Sequence, residues 1–364
     1  MAEPRRHPRL RRLTYVGLAL VLIAGAGLGY LYLHLNGNLD RREVGKELGA
    51  DRPDAVAVEG PKKPVNILVM ASDDRSCEGC GIDGEAGMGG SDTTILLHLS
   101  ADRSRAYAVS IPRDSIVTRP DCGADDQIAG GTGQMWNEAF RLGGEGCTWR
   151  QVEALTGVRI DNYVTFNFGS FKSMVAALDG VPVCIPQDID DDTANIHLKA
   201  GTRELNPDES LQYVRLRYWG PIEKRNDLSR IRRQQEFIAA MLNKASHNVA
   251  RPDRILPFLD AATESIATDF DNLRELAGLA MDVRKIGMDQ VRLFTIPNEY
   301  FPSDSEFAGK VRWKPAADEI WERIAADEAI PTHLIRGSVT ADPDRPKNLT
   351  PEEKQDRAEM GICS

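Results

Sequence analysis

The sequence predicts an α/β fold, a layered sheet with helices on both faces, preceded by a single transmembrane helix. Three observations carry that prediction. Residues 13–35, LTYVGLALVLIAGAGLGYLYLHL, form an unbroken apolar run behind the arginine-rich RRHPRLRR. From Val65 onward, short apolar runs of strand length alternate with stretches that repeat at helical spacing. The length left beyond the apolar run suits one sizeable domain.

In chain order, residues 1–12 read as a cytoplasmic N-terminus, held there by the arginines beside the apolar run. At about 1.5 Å per residue, residues 13–35 reach across a hydrocarbon core of roughly 30 Å. A cleaved signal peptide competes, since Ala24, Gly25 and Ala26 are small, but the apolar run continues through Leu28, Tyr30, Leu31 and Leu33. The expectation is an uncleaved single-pass anchor in the cell membrane, with everything after it extracytoplasmic. Residues 36–64, with Pro53, Pro61, Pro64 and many charges, read as a stalk. Residues 65–336 form the domain. Strands are expected at 66–71, 93–100, 106–112, 163–168, 181–186 and 291–297. Helices are expected at 149–156, 170–178, 227–244, 254–268 and 272–286. The helix over 227–244 is the most regular, with Leu228, Ile231, Ile238 and Leu242 on one face. Residues 337–364 are polar and read as a tail.

The formal net charge is −10, and residues 1–35 carry five arginines against one glutamate, so the remainder is more acidic still. That balance argues against a nucleic-acid-binding surface. Six cysteines suit an oxidising exterior. Cys122 and Cys147 bracket a Gly-rich connection and are the preferred structural pair. The pairing of Cys77, Cys80, Cys184 and Cys363 stays open. Cys77 and Cys80 lack the second ligand pair that zinc would need, and they lie in a Gly-rich loop, not at a helix start.

Against that acidic background, residues 213–235 concentrate Arg215, Arg217, Arg225, Arg230, Arg232 and Arg233. Arg215 and Arg217 are two apart in a β-like run, so they share a strand face. Asp227, Arg230 and Gln234 stand at i, i+3 and i+7, so they share a helix face. Guanidinium forks suit bidentate contacts to phosphate, and the pattern reads as a phosphate clamp. A solvated basic surface with internal Asp–Arg pairs is the competing reading. Asp73 follows the first strand and Asp92 opens the second, joined by a Gly-rich loop that can bring them together. Magnesium takes a few carboxylates plus phosphate and water, which fits two aspartates beside an arginine clamp. Asp74 rivals Asp73, and either alone could be a turn residue. The third piece is Ser110-Ile111-Pro112-Arg113-Asp114, where Pro112 stops a strand ahead of an Arg–Asp pair.

The ordered set ASDDRS, SDTTILLHL, AVSIPRDS, NEAFRLGG, YVTFNFGSF, LDGVPVCIP, LNPDESLQYVRLR and NDLSRIRRQQEF resembles the LytR-CpsA-Psr family. The resemblance is motif by motif over residues 65–244 and weaker to about residue 336. Proline, arginine and alanine usage points to an actinobacterial source. The resemblance implies a membrane-anchored, extracytoplasmic phosphotransferase. Such enzymes move a glycopolymer from a polyprenyl-pyrophosphate carrier to peptidoglycan through a phosphodiester, with pyrophosphatase as a side activity. Carried over by position, Asp73 and Asp92 match the magnesium aspartates, with manganese as a substitute metal. Arg215, Arg217, Arg230 and Gln234 match residues contacting the lipid pyrophosphate, with Arg75 and Arg233 as further contributors. Arg113 matches the arginine after the Ile-Pro of the third strand motif. Arg113, Asp114 and Asp227 are the catalytic candidates, and the choice of base stays open. Gly90 stands where the family often has an arginine, with Arg75 as its replacement. Val164, Phe166, Phe168, Phe171, Val175 and Leu178 could wall a lipid cavity or pack an ordinary core. The competing functional readings are a non-catalytic lipid-pyrophosphate-binding protein and a cell-envelope regulator of the attenuator type.

Overall fold

The computed structural model describes residues 8–58, 60–72, 90–192, 196–217, 226–248, 251–342 and 349–363. Asp73, Asp74, Arg75, Arg225 and the Cys77–Cys80 pair lie outside the described residues. Helix α1 (Pro8–Asn38) opens the chain and is followed by the short strand β1 (Asp40–Arg41). Next come β2 (Val65–Ser72), β3 (Ser91–Leu99), β4 (Ala106–Ile111), β5 (Ile116–Arg119) and β6 (Gly131–Met135). Helix α2 (Glu138–Thr156) leads to β7 (Asn162–Phe166), α3 (Phe168–Ala177) and β8 (Val181–Ile185). The strands β9 (Ile189–Asp191), β10 (Ile196–Leu198) and β11 (Gly201–Leu205) precede three helices: α4 (Pro207–Arg215), α5 (Asp227–Asn248) and α6 (Pro252–Ser265). The remainder is β12 (Ile266–Thr268), α7 (Leu273–Ile286), β13 (Val291–Thr295), β14 (Asn298–Tyr300), β15 (Val311–Trp313), α8 (Ala316–Ala325), β16 (Val339–Thr340) and α9 (Pro351–Glu359).

The central sheet has eight strands in the order β1-β12-β7-β2-β3-β4-β13-β16. Alternation along each strand sends side chains to two different cores. Leu68, Met70, Leu96, Tyr107 and Val109 pack under α2 and α8 with Trp149, Val152, Ile320 and Trp321. Ile95, Ala106, Ala108, Val291 and Leu293 pack on the other face with Ala239 of α5 and Ile286 of α7. Helices therefore cover both faces, as the sequence predicts. The run 181–186 is a strand, but β8 pairs with β11 in a separate ribbon. That ribbon closes a third core with α3, α4 and α5, holding Phe168, Phe171, Val175, Leu178, Leu211, Tyr213 and Phe237.

Four expectations are corrected. The segment over 36–64 is not a free stalk: Leu39, Val44 and Leu48 are buried, and β1 pairs with β12. Arg52 also forks onto the Glu153 carboxylate, with Nη2 2.7 Å from Oε1 and Nε 2.9 Å from Oε2. The run holding Arg215 and Arg217 is not a strand: Arg215 is the last residue of a helix and Arg217 lies just past it. Asn206 and Glu209 form a capping box and Pro207 occupies the first turn, so strong start signals override the alternation. The expected helix over 254–268 stops at Ser265, and Ile266–Thr268 joins the sheet as β12. The segment over 337–364 is not a free tail: Val339, Ala341 and Ile362 are buried, and β16 extends the sheet.

A disulfide between Cys184 and Cys363 fastens that last segment to β8 across a sequence separation of 179. Arg357 adds a 2.6 Å ion pair to Glu236 of α5. The preferred pair Cys122–Cys147 is also bonded. From Thr14 to Tyr30, α1 is exposed, and the apolar segment Thr14–Asn38 is long enough to cross a membrane. Its last turn docks on α6, where Asn38 Nδ2 donates to Asp260 Oδ1 at 3.0 Å and His34 lies 2.9 Å from the same oxygen. Replacing both Cys184 and Cys363 with serine should cost about 2–4 kcal/mol of unfolding free energy. Urea denaturation of the double variant against the native chain measures this.

Candidate active site

Strand directions decide what meets what. β2 is antiparallel to β3 and β3 to β4, so Ser72, Ser91 and Ile111 all lie at one end of the sheet. Asp92 therefore starts next to where Arg113 ends. Helix α5 begins over the same end, with Asn226 Oδ1 accepting from Ser229 N at 2.9 Å. Asp227 sits in its first turn, where backbone N–H groups favour a negative charge.

Four side chains form a closed charge square. Arg113 Nη1 donates to Asp92 Oδ1 at 2.5 Å, and its Nε lies 3.4 Å from Asp227 Oδ1. Arg230 spans the same two carboxylates, 2.7 Å from Asp227 Oδ1 and 3.7 Å from Asp92 Oδ2. Arg217 adds a third guanidinium, 3.8 Å from Asp92. Asp114 stands beside the square, 3.9 Å from Arg113 and held at 3.0 Å by Lys310 Nζ. Arg113, Arg217, Arg230 and Lys310 thus face only three carboxylates, which leaves positive charge for an anionic ligand.

Burial alone would raise the Asp92 carboxyl, but Arg230, Arg113 and Arg217 outweigh it and hold the group below its ordinary value. Burial would lower Arg113, yet Asp92, Asp227 and Asp114 outweigh it and raise the guanidinium. Arg230 shares two of those aspartates but moves the other way, because burial dominates where only 2% of the side chain is exposed. A low Asp92 value means that its pairing stabilises the fold above an unfolded value of about 3.9 and is lost as pH falls through the folded value.

The remaining expected residues separate into two groups. Arg215 lies over the ring of Phe168, a member of the third core, at 5.5 Å. Gln234 bridges the site's edges: its Oε1 accepts from Thr93 Oγ1 at 3.3 Å and its Nε2 donates to Val214 O at 3.2 Å. Arg233 points elsewhere. It is fully buried and donates to the carbonyls of Leu216 and Met360, so it ties α4 and the C-terminal segment to α5 and makes no contact with the square. Burial pulls its guanidinium down to about 10. Arg232 likewise is structural, donating to Gly337 O and pairing with Glu236. Phe168, Phe171, Val175 and Leu178 do pack together with Phe166 against them, while Val164 lies outside that cluster.

Two cavities open on either side of Arg113. One, of about 330 Å³, is bounded by Arg113, Asp114, Arg217, Asp227 and Tyr300. The other, of about 280 Å³, holds Asp92, Arg113, Asn137, Glu138 and Arg141. Lys310 and Tyr300 were not singled out by the sequence, because they arrive from a ribbon nearly two hundred residues away by separation. Asn137, Glu138 and Arg141 lie within the quoted NEAFRLGG motif, which could have flagged them.

The LytR_cpsA_psr family model matches residues 31–326. The chain belongs to the LytR-CpsA-Psr family. The probable cell wall biosynthesis protein LcpB of Corynebacterium glutamicum is 33% identical over 228 residues, 60% of this chain and 52% of that protein. The polyisoprenyl-teichoic acid–peptidoglycan teichoic acid transferase TagV of Bacillus subtilis is 31% identical over 277 residues, 70% of this chain and 64% of that protein. The chain therefore spans less than two thirds of the length of either relative. The crystal structure of Bacillus subtilis TagV superposes with a TM-score of 0.56 at 26% identity, covering 74% of this chain and all of that one.

Asp92 and Asp227 are oxygen donors of the kind a hard cation takes. Both are already paired with guanidinium groups, so a cation here would have to arrive with an anionic ligand. Both Asp227 carboxylate oxygens are buried and accept no well-directed hydrogen bond, and Asp92 keeps 21% of its side chain open. Among the described residues, the one compact group of His, Cys, Asp and Glu is the exposed Asp190, Asp192 and His197, none of which belongs to the charge square. Removing Arg230 should leave Asp92 and Asp227 under-compensated. Arg230→Ala is expected to cost about 3–5 kcal/mol, and Arg230→Met with Asp227→Leu should recover much of that loss. Chemical denaturation of the three proteins checks both statements.

Proposed function

We propose that the chain is a membrane-anchored transferase that moves a glycopolymer from a polyprenyl-pyrophosphate carrier to peptidoglycan, making a phosphodiester. The observation that carries this reading is the charge square with its positive surplus, set beside an apolar core at Arg215. A pyrophosphate ester needs fixed cations, and its isoprenoid needs apolar walls. The named activities of the relatives support the same reading, as does the apolar helix ahead of the domain. Arginines in residues 1–12 hold the N-terminus inside, which puts the domain on the outer face.

Arg113, Arg217 and Arg230 bind the pyrophosphate oxygens and stabilise charge that grows on them as the bridging P–O bond breaks. Arg215, over Phe168, positions the phosphate next to the lipid. Asp114 takes the proton of the acceptor hydroxyl as its oxygen bonds to the polymer-bearing phosphorus, and polyprenyl phosphate leaves. Lys310 fixes the Asp114 carboxylate for that role. Asp92, with Asp73, would hold magnesium, or manganese in its place. When bound, the ion supplies further neutralisation of phosphate charge. Pyrophosphate hydrolysis follows as a side reaction when water enters in place of the acceptor.

The test is product analysis with the full chain in detergent, a lipid-linked glycan, wall fragments and magnesium. A charged hydrogen bond to phosphate contributes about 1.5–3 kcal/mol, so Arg217→Ala should cut transfer roughly ten- to a hundredfold. Arg217→Lys should recover only part, since it keeps charge and loses the planar fork. Arg232→Ala should leave transfer near normal. Equal small losses in all three would reduce the site to a diffuse basic patch. Chelation should abolish transfer, with recovery on adding magnesium or manganese. Transfer that survives chelation would remove the metal from the proposal.

A further inference from the structure

The cavity of about 330 Å³ has a wall that the donor chemistry does not use. On one side it meets Arg113, Arg217 and Asp227. On the other it is closed by the ribbon of β14 and β15, through Tyr300, Gly309 and Val311. None of its lining residues belongs to the apolar cluster of α3, α4 and α5, so it is not a place for an isoprenoid chain. Its lining mixes charged groups with Pro112, Leu228 and Val311, and Asp114 borders it with Lys310 at 3.0 Å.

Tyr300 is the distinctive element. Outside α1, it is the single aromatic side chain among the described residues that is exposed, at 42%. The other described aromatics of the domain are buried or half-buried; its neighbours Phe301 and Phe307 are half-buried and pack on each other with centroids 5.2 Å apart. An exposed ring offers apolar area that a ligand can cover. A phenol at the mouth of a cavity that mixes charged and apolar groups suits a sugar: the ring face covers the sugar's C–H face while the hydroxyl meets its polar edge. Position matters as well. Displacement at phosphorus runs in line, so the attacking oxygen must enter opposite the leaving lipid phosphate. With the lipid placed at Arg215 and Phe168, the ribbon-side cavity offers an approach to a phosphorus held at Arg113.

We propose that the cavity between Asp114 and Tyr300 is the acceptor subsite, which takes one sugar ring of a wall-type glycan stacked on Tyr300. The proposal rests on the transferase reading for its reaction, though not for the binding itself. In the completed step, the sugar's hydroxyl oxygen bonds to the polymer-bearing phosphorus and the pyrophosphate bridge breaks. Polyprenyl phosphate leaves with the bridging oxygen, and the hydroxyl proton passes to Asp114 and then to solvent.

Two readouts test it on the full chain in detergent. The first is binding of a soluble wall-glycan fragment, followed by ligand-observed NMR titration. Tyr300→Ala should weaken it roughly five- to tenfold, and Tyr300→Phe, which keeps the ring, should stay within about twofold of the native chain. The second compares transfer with hydrolysis of the same lipid-linked donor. Tyr300→Ala should raise the acceptor KM and lower transfer several-fold more than it lowers hydrolysis by water. Unchanged glycan binding in Tyr300→Ala, or parallel loss of hydrolysis and transfer, overturns the subsite. Absence of donor cleavage by the native chain sinks the transferase reading instead, and the glycan titration then decides the subsite by itself.

Discussion

The structure turns on two arginines sharing two aspartates. Arg113 comes from the end of a central strand and Arg230 from the first turn of α5, and neither carboxylate could be buried without both. The square therefore fastens helix to sheet and at the same time fixes the orientation of the guanidinium groups. A flexible cation would pay out its rotamer freedom each time it met phosphate; these arginines are already ordered in the protein alone. The cost is a cluster of buried charge that an apolar patch of the same shape would match or exceed in stability. Its retention fits a role in chemistry better than a role in folding.

Much of the core was legible from periodicity. Strands such as Ala106–Ile111 alternate between two cores, and helix α5 carries its apolar residues at helical spacing, so local pattern and tertiary role agree. The pairing of Asp227 with Arg230 was equally readable, because both lie on one helix face. Arg217 was harder. Its neighbourhood alternates like a strand, and only the Asn206-Pro207 start signal shows that a helix precedes it. Lys310 and Tyr300 carry no local signal at all, since a salt bridge across such sequence distance is created by the sheet's β4–β13 pairing and the ribbon that follows it. Composition also misled. Polar, Pro-containing stretches at 36–64 and after 336 read as linkers, yet a few apolar anchors and one disulfide are enough to dock them.

The C-terminal segment shows how such docking reaches the site indirectly. Arg233 joins Met360 O to Leu216 O, and Tyr213 Oη donates to Gly361 O at 3.2 Å. Helix α4, which ends at Arg215, is thus braced by residues beyond 350 from one side and by α5 from the other. The arginines at its end are placed by that bracing, and among the described residues the C-terminal segment bonds to α4 and α5, not to the charge square.

The strand register has one more consequence. β1 pairs in parallel with β12, and β12 runs antiparallel to β7, which is parallel to β2. Asp40, two residues past the end of α1, consequently stands at the same end of the sheet as Ser72 and Ile111. In the proposed anchored enzyme, the reactive centre hangs close over the bilayer and cannot drift away from it. Encounter with a lipid-borne donor becomes a lateral search within one leaflet, at a local concentration set by the membrane's area and not by the surrounding volume. The wall side, by contrast, must deliver its glycan down to a fixed altitude. The short connection between the apolar helix and the first paired strand then acts as a ruler for how far from the membrane new wall attachments can be made.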